Sequence, residues 1–468
     1  MPTPSDIDAE DLGKTTPFLP IFEPYNDAAR VVLDWLCDKL PDLPTTPKMR
    51  SKYRSVVASF LAAMQSAAKG DKQISFSFGN DAYTAYPSSA GRQVIQNTAK
   101  MLQAAGFLEM VSLGRRVFKN TEGTKTKDRD DVPTVFDFDQ QLLTVDGFTE
   151  AVWLEVGRPL VAISAKLDPW ERYWVEQDNR KKPKLRRSQA ERRYKGTFTA
   201  CEEQSRKLQK LWLVEPMCIP VPTMSGSFER YAACATRVFH NGSMSSGGRY
   251  YGLWTTLGKH IRSRATIGGE PVVHLDLAAS QPTLLSGLLG MTMNLQGGTT
   301  WTDVYMEIVQ ALGAENDDTP ELKRKKAKQV VMEAIGSGSH TRKRPAKGSE
   351  LSFSDYEYQG YLSAAKRVVP ALELLSFGSV DGSNFLSFHE SNMITDAMLD
   401  LAAQGIVAYP MHDALIVKQS CQDAALKSLR DSVTTYVARH TKRGTFIPAV
   451  TIEGLGMGKL QHSGYHSL

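Results

Sequence analysis

A chain of 468 residues, 41% hydrophobic and 23% charged, has material for two or three domains with ordinary cores and is neither disordered nor fibrous in composition. A net charge of +5 is mild, so any nucleic-acid footprint must come from local clusters of Lys and Arg. Five cysteines without a CxxC pair, a polar N-terminus unlike a signal peptide and no apolar run of membrane-spanning length point to a reducing, cytoplasmic setting, with no structural zinc and no membrane.

Residues 1–25 read as a polar lead-in. Helix periodicity follows over Ala28–Leu40 and Tyr53–Ala68, the second placing Tyr53, Val56, Val57, Phe60, Leu61 and Met64 on one face. Ile74, Phe76 and Phe78 alternate as a strand, and a further helix is expected from Gly91 to Ala105, closed by Gly106. Phe107–Val111 and Arg116–Lys119 then suggest a hairpin around Leu113–Arg115. Helix, strand, helix, hairpin is the plan of a winged helix-turn-helix, so residues 26–150 are expected to form a winged-helix-like DNA-binding domain. Its recognition helix would present Arg92, Gln93, Gln96, Asn97 and Lys100, and its wing Arg115, Arg116 and Lys119. An ordinary solvated face is the alternative. No carboxylate-rich exonuclease signature precedes the second half, so no exonuclease activity is expected.

Residues 151–235 are expected to form a basic connector or thumb-like element. Nine Lys or Arg stand against one Glu between Arg180 and Lys195, with Trp170, Tyr173 and Trp174 just ahead. Such density favours phosphate contact, with Arg186 and Arg187 among the contacts, over a merely solvated helix face.

From residue 236 the chemistry-bearing stretches appear. A glycine- and serine-rich loop, Asn241–Gly248, flexible enough for backbone to approach a ligand closely, delivers Arg249. Val272, Val273, Leu275 and Leu277 make a core strand with Asp276 inside it, turning into a helix over Thr283–Leu289. A buried, unpaired Asp would cost several kcal/mol, so a partner is required; a helix cap is the bland solution. Gly405–Val417 reads as a hairpin with His412 and Asp413 at its tip. Two strand-borne aspartates side by side could share two divalent cations that clamp a phosphoryl transfer. Arg324 and Lys328 fall at i and i+4, one helix face, as two cations gripping one polyphosphate require. Phe388–Ser391 opens a core helix, with His389 and Glu390 in its first turn.

In this order the stretches resemble the palm and fingers of family A nucleic-acid polymerases, the group of bacterial DNA polymerase I and the phage and mitochondrial single-subunit RNA polymerases. The resemblance spans roughly residues 236–468 and six motifs: Gly247–Tyr251, Asp276, Asp303–Tyr305, Arg324–Met332, His412-Asp413 and Ile452–Gly456. It implies an α+β fold, a right-hand palm and fingers with an antiparallel palm sheet, following the winged-helix-like domain. It implies that Asp276 and Asp413 hold two Mg²⁺, with Mn²⁺ as a substitute, and that Arg324 and Lys328 bind the triphosphate, Lys328 also serving as proton donor to the leaving oxygen. Met332 and Gly336 would line the nucleotide site farther along the same helix. His412 would orient hairpin or primer, since Mg²⁺ prefers oxygen ligands. Arg249, Arg262, Arg264 and Glu390 would lie along the nucleic acid, the run His260–Arg264 resembling a basic strand of DNA polymerase I.

Two departures bear on sugar choice. Gln281 stands where the DNA polymerases of the family carry a Glu that excludes a ribose hydroxyl, and Ile335–Gly338 replaces a family Tyr. The favoured expectation is a DNA polymerase or primase-polymerase acting on a DNA template, a primer and nucleoside triphosphates. A single-subunit RNA polymerase or primase and a non-catalytic replication initiator are the alternatives.

Overall fold

The computed structural model describes residues 15–17, 22–40, 42–68, 73–76, 92–112, 116–118, 129–131, 134–155, 158–166, 184–185, 187–223, 226–295, 303–313, 318–337, 339, 341, 343–345, 351, 353–375, 382–440, 445–447, 449–454, 460–462 and 465–467. The chain divides into two units, residues 1–159 with 216–235 and residues 160–215 with 236–468. The stretch 151–235, expected to act as one connector, is thereby shared between them.

In the first unit, α1 (Asp27–Asp38) starts where the Asn26 side chain accepts from the Ala29 N–H, and it buries Ala29, Val32, Leu33, Leu36 and Cys37 at helical spacing. α2 (Pro47–Ala68) buries most of its length, and Gln65 donates from its amide to the carbonyls of Phe148 and Ala151 at 2.7 and 2.8 Å. α3 (Arg92–Ala104) ends at Gly106, whose φ of +82° is the left-handed turn that glycine permits. One sheet runs β1 (Thr15–Pro17), β3 (Gln73–Phe76), β7 (Thr134–Phe138), β4 (Leu108–Ser112).

The expected hairpin after α3 is corrected here. β4 pairs with β7, and β5 (Arg116–Phe118) pairs instead with β6 (Arg129–Asp131). In that pairing Leu108 stands opposite Phe138 and Met110 opposite Phe136, with Val135, Phe136 and Phe138 of β7 buried. β2 (Phe22–Pro24), β8 (Trp153–Glu155), β11 (Gly226–Ala232) and β10 (Met217–Thr223) form a further ladder of this unit.

In the second unit β9 (Val161–Ile163), β12 (Ala235–Phe239) and β13 (Gly247–Gly252) form a small sheet in the order β13-β12-β9. The larger ladder centres on β15 (Glu270–Leu277), antiparallel to β17 (Ala414–Lys418) and to β19 (Val450–Gly454). β14 (Thr266–Ile267) pairs with its start, β16 (Ala408–Met411) with β17, and β20 (Leu460–His462) with β19; β18 (Thr445–Ile447) pairs with β21 (Tyr465–Ser467). The helices are α4 (Arg187–Val214), α5 (Lys259–Arg262), α6 (Ser280–Leu288), α7 (Val304–Leu312), α8 (Pro320–Ser337), α9 (Asp355–Val368), α10 (Gly382–Ala403) and α11 (Gln422–His440).

Two indoles hold the β16–β17 hairpin in place. The Nε1–H of Trp212 donates to the Ala408 carbonyl at 2.9 Å, and that of Trp254 to the Pro410 carbonyl at 2.7 Å. The Tyr409 ring stacks on Trp212 and meets Trp254 edge-on, so a hairpin strand is fixed by buried aromatic surface and two directional bonds together.

Three boundaries differ from expectation. The run His260–Arg264 is the short helix α5 and its exit turn rather than a strand. α6 begins at Ser280, three residues before Thr283. α10 begins at Gly382, which moves His389 and Glu390 from a first turn to the helix interior.

Candidate active site at two adjacent strand ends

Antiparallel pairing sets β15 and β17 side by side, with Asp276 opposite Ala414. The Leu277 N–H donates to the Asp413 carbonyl at 3.3 Å, so both aspartates stand at the same end of neighbouring strands. The expectation of a buried Asp276 is corrected: its side chain is exposed, because successive strand residues face opposite sides of the sheet and Asp276 takes the open side between buried Leu275 and Leu277. Asp413 is the half-buried member. Burial, then the charge of Asp276, pushes its carboxyl up to about 6, opposed by Arg249, by its backbone N–H and by Lys328. Both carboxylates therefore repel each other within reach of two cations.

His412 occupies the hairpin tip with φ +60°, in the left-handed region, and its ring lies edge-on to Tyr251. Burial, then Arg249 and Arg262, lowers its pKa, so the imidazole stays neutral, with Nδ1 buried and unpartnered.

A third acid stands close enough to Asp413 to feel its charge. Glu390 is 0% exposed on α10; it accepts from Arg249 Nη2 at 2.5 Å and from Ser280 Oγ at 2.5 Å. Burial, then Asp413, raises its pKa to about 7, while Arg249 and Ser280 hold it down. Its expected place along the nucleic acid is corrected: a fully buried carboxylate joins β13, α6 and α10 from within.

The cationic side of the site comes from α8. Arg324, Lys328, Met332 and Gly336 follow one another at intervals of four, while Ala327, Val330, Val331, Ala334 and Ile335 bury the other face. Arg324 Nε donates to Asp303 Oδ2 at 2.6 Å, and its guanidinium lies 5.4 Å from the Tyr305 ring centre. Asp303 caps α7 with its other oxygen, accepting from the N–H groups of Tyr305 and Met306 at 3.0 and 3.3 Å. Lys328, one turn on, is exposed. Tyr305 is buried, which raises its pKa, and it feels the charges of Arg324, Asp303, Asp413 and Asp276. Met332 is half-buried, and a Cβ added at Gly336 would meet open space.

Gln281 is 5% exposed, with Oε1 buried and unpartnered. Arg262 donates from Nη1 to the Leu257 carbonyl, its Nε is buried without a partner, and Arg264 is exposed. Arg187 pairs with Glu191 at 3.0 Å and Glu202 at 2.9 Å. Lys100 is exposed on α3, whereas Asn97 is held by Gln93 and donates to Tyr53 Oη at 3.1 Å. Arg92 begins α3, but its side chain, like Arg115 and Arg186, lies outside the described residues. The sequence pattern marks Asp303 and Tyr305 as part of a motif but assigns them no place in the site, and it does not point to Ser280 at all. A capping Asp303 ahead of an apolar helix is the readable signal for the first two.

The donor set suits a hard divalent cation: two mutually repelling carboxylates whose repulsion the cation would relieve. Among the described residues no cluster of three or more His, Cys, Asp or Glu forms a metal-binding group, so the pair is the candidate set. Among the same residues no helix is long and apolar enough to cross a membrane.

No protein-family model matches this chain, and no curated protein matches it. Among solved structures, the POL domain of Pol1 from M. smegmatis in complex with DNA primer-template and dNTP is similar at 12% identity, over 45% of this chain and 45% of that one, with a TM-score of 0.32.

Proposed function

We propose that this chain is a template-directed nucleic-acid polymerase that transfers nucleotides to a primer 3′-hydroxyl on a DNA template, a DNA polymerase or primase-polymerase being favoured. The observation that carries the reading is the meeting of Asp276 and Asp413 at adjacent strand ends, with the charge of Lys328 felt at Asp413. Asp276 and Asp413 would hold two Mg²⁺, or Mn²⁺ in their place. Such ions, when bound, activate the attacking hydroxyl and steady the departing pyrophosphate.

The protein's own groups do the rest. Arg324 and Lys328 grip the triphosphate, and Lys328 supplies a proton to the leaving oxygen. Arg249 offsets the crowded negative charge of Asp413 and Glu390, and the exposed part of its guanidinium, Nε being buried, faces the nucleic acid. Neutral His412 fixes the hairpin tip that presents Asp413. Exposed Arg192, Arg193 and Lys195 on α4 contact duplex phosphates, and α3 of the first unit contacts DNA through Lys100 and its neighbours.

A single-subunit RNA polymerase or primase is the second reading, favoured by Gln281 in place of an acidic sugar gate. The test is substitution: Asp276→Ala and Asp413→Ala each abolish synthesis, while template affinity by fluorescence anisotropy survives. Full activity in both variants contradicts the assignment.

A further inference from the structure

Arg237 on β12 is 1% exposed, one of the largest fully buried side chains among the described residues. No carboxylate lies within ion-pair distance of it in the ion pairs of those residues. A desolvated guanidinium without a contacting counter-ion is costly, and an apolar side chain of the same volume would serve packing alone better. What arginine offers instead is five donors in a rigid fork.

Those donors are all directed. Nε donates to the Gly248 carbonyl at 3.0 Å, Nη1 to Gln204 Oε1 at 3.3 Å and Cys201 Sγ at 3.8 Å, and Nη2 to Asn392 Oδ1 at 2.7 Å and Ser391 Oγ at 3.5 Å. The rings of Phe239 and Tyr250 flank the fork at 5.3 and 5.5 Å. Three elements meet there: α4, β13 and α10. The contacts on β13 and α10 fall at Gly248, immediately before Arg249, and at Ser391 and Asn392, immediately after Glu390.

The strand and helix approach each other closely at the same point. A Cβ on Gly248 would stand 2.7 Å from Ser391 Oγ, and Gly248 has φ +88°, so strand and helix have no slack there. One side chain thus fixes the chain neighbours of both members of the Arg249–Glu390 ion pair.

We propose that Arg237 is a positioning residue for the Arg249–Glu390 pair behind the strand-end aspartates. It touches neither substrate nor reacting atoms; it sets where Arg249 and Glu390 stand. The kinetic part of this inference rests on the polymerase reading, whereas the coupling to Glu390 does not.

The experiment uses the full chain with Arg237→Met, Arg237→Lys, Glu390→Gln and the double variant Arg237→Met/Glu390→Gln. Primer extension is measured at saturating primed DNA and varied nucleotide, beside urea unfolding of each protein. Arg237→Met is expected to lower kcat about 100-fold, the cost of a misplacement of about 1 Å, with the nucleotide KM within about threefold of wild type. Arg237→Lys, which keeps the charge but not the fork, is expected to be nearly as slow; recovery to wild-type kcat by Lys would overturn the inference in favour of a plain charge role. The double variant is expected to be no slower than the slower single variant, and effects that multiply would overturn the coupling. If Arg237→Met fails to fold, Arg237→Lys carries the same kinetic test. If the wild type extends no primer with any nucleotide, the polymerase reading falls by itself; the unfolding cycle then decides, non-additive stabilities supporting the coupling and additive ones overturning it.

Discussion

Asp413→Asn removes a charge that the fold tolerates at a cost, and its consequence can be worked out from the site. Burial and Asp276 raise the Asp413 carboxyl from 3.8 to about 6. A carboxyl raised in the folded state binds its proton more tightly there than in the unfolded chain, so its ionisation destabilises the fold. The penalty is absent below the unfolded value near 4, grows as pH rises towards 6, and is complete above it. At about 1.4 kcal/mol per pKa unit, its upper bound is about 3 kcal/mol. Without divalent cation at pH 8, Asp413→Asn is therefore expected to melt above wild type, by at most about 6–12 °C at roughly 2–4 °C per kcal/mol. The advantage should shrink as pH falls from 7 to 4. Millimolar Mg²⁺ should raise the wild-type melting temperature and leave the variant unmoved, since bound cation stabilises the folded state by mass action. Differential scanning fluorimetry across pH, with and without Mg²⁺, reads all three. A variant that melts below wild type at pH 8, or an advantage that persists unchanged at pH 4, would refute the electrostatic reasoning.

Three further outcomes are expected. Lys328→Ala should lower kcat/KM for the nucleotide roughly 10- to 100-fold, the value of a charge-assisted hydrogen bond of about 1.5–3 kcal/mol, with primed-DNA affinity unchanged in anisotropy. Gly248→Ala forces a Cβ to within 2.7 Å of Ser391 Oγ and 2.9 Å of the Phe239 ring at a positive φ, so urea unfolding should show a destabilisation of about 1–3 kcal/mol, with slower synthesis because Arg249 is next in the chain. Reversing Arg192, Arg193 and Lys195 to Glu should weaken template binding and flatten its log–log salt dependence by roughly 0.9 for each duplex phosphate that the protein no longer neutralises; an unchanged slope would place α4 away from the nucleic acid.

Where a side chain's role follows from local pattern, it is legible in the sequence. The β16–β17 hairpin is legible because apolar runs flank a polar dipeptide, and the cationic ridge of α8 because Arg324 and Lys328 are four apart. Strand partners set by tertiary packing are not: β4 takes β7, whose Val135, Phe136 and Phe138 are buried, rather than its neighbour in sequence. The same limit explains Glu390. Its fully buried place depends on α10 starting at Gly382 and on Arg249 arriving from β13, two facts with no trace in the residues around it. Asp276 errs the other way, since apolar neighbours on a strand do not reveal where the sheet opens to solvent. Arg237 carries no local signal, because its five partners come from three separate segments.

Polymerase activity is tested most directly by extension of a labelled primer on a DNA template with Mg²⁺, supplied with dNTPs or NTPs separately and with Asp413→Ala as control. Wild type is expected to give elongated product and the variant none, dNTP use marking a DNA polymerase and NTP use moving the reading to an RNA polymerase or primase. No extension with either nucleotide set, or equal extension by Asp413→Ala, would contradict the proposed function.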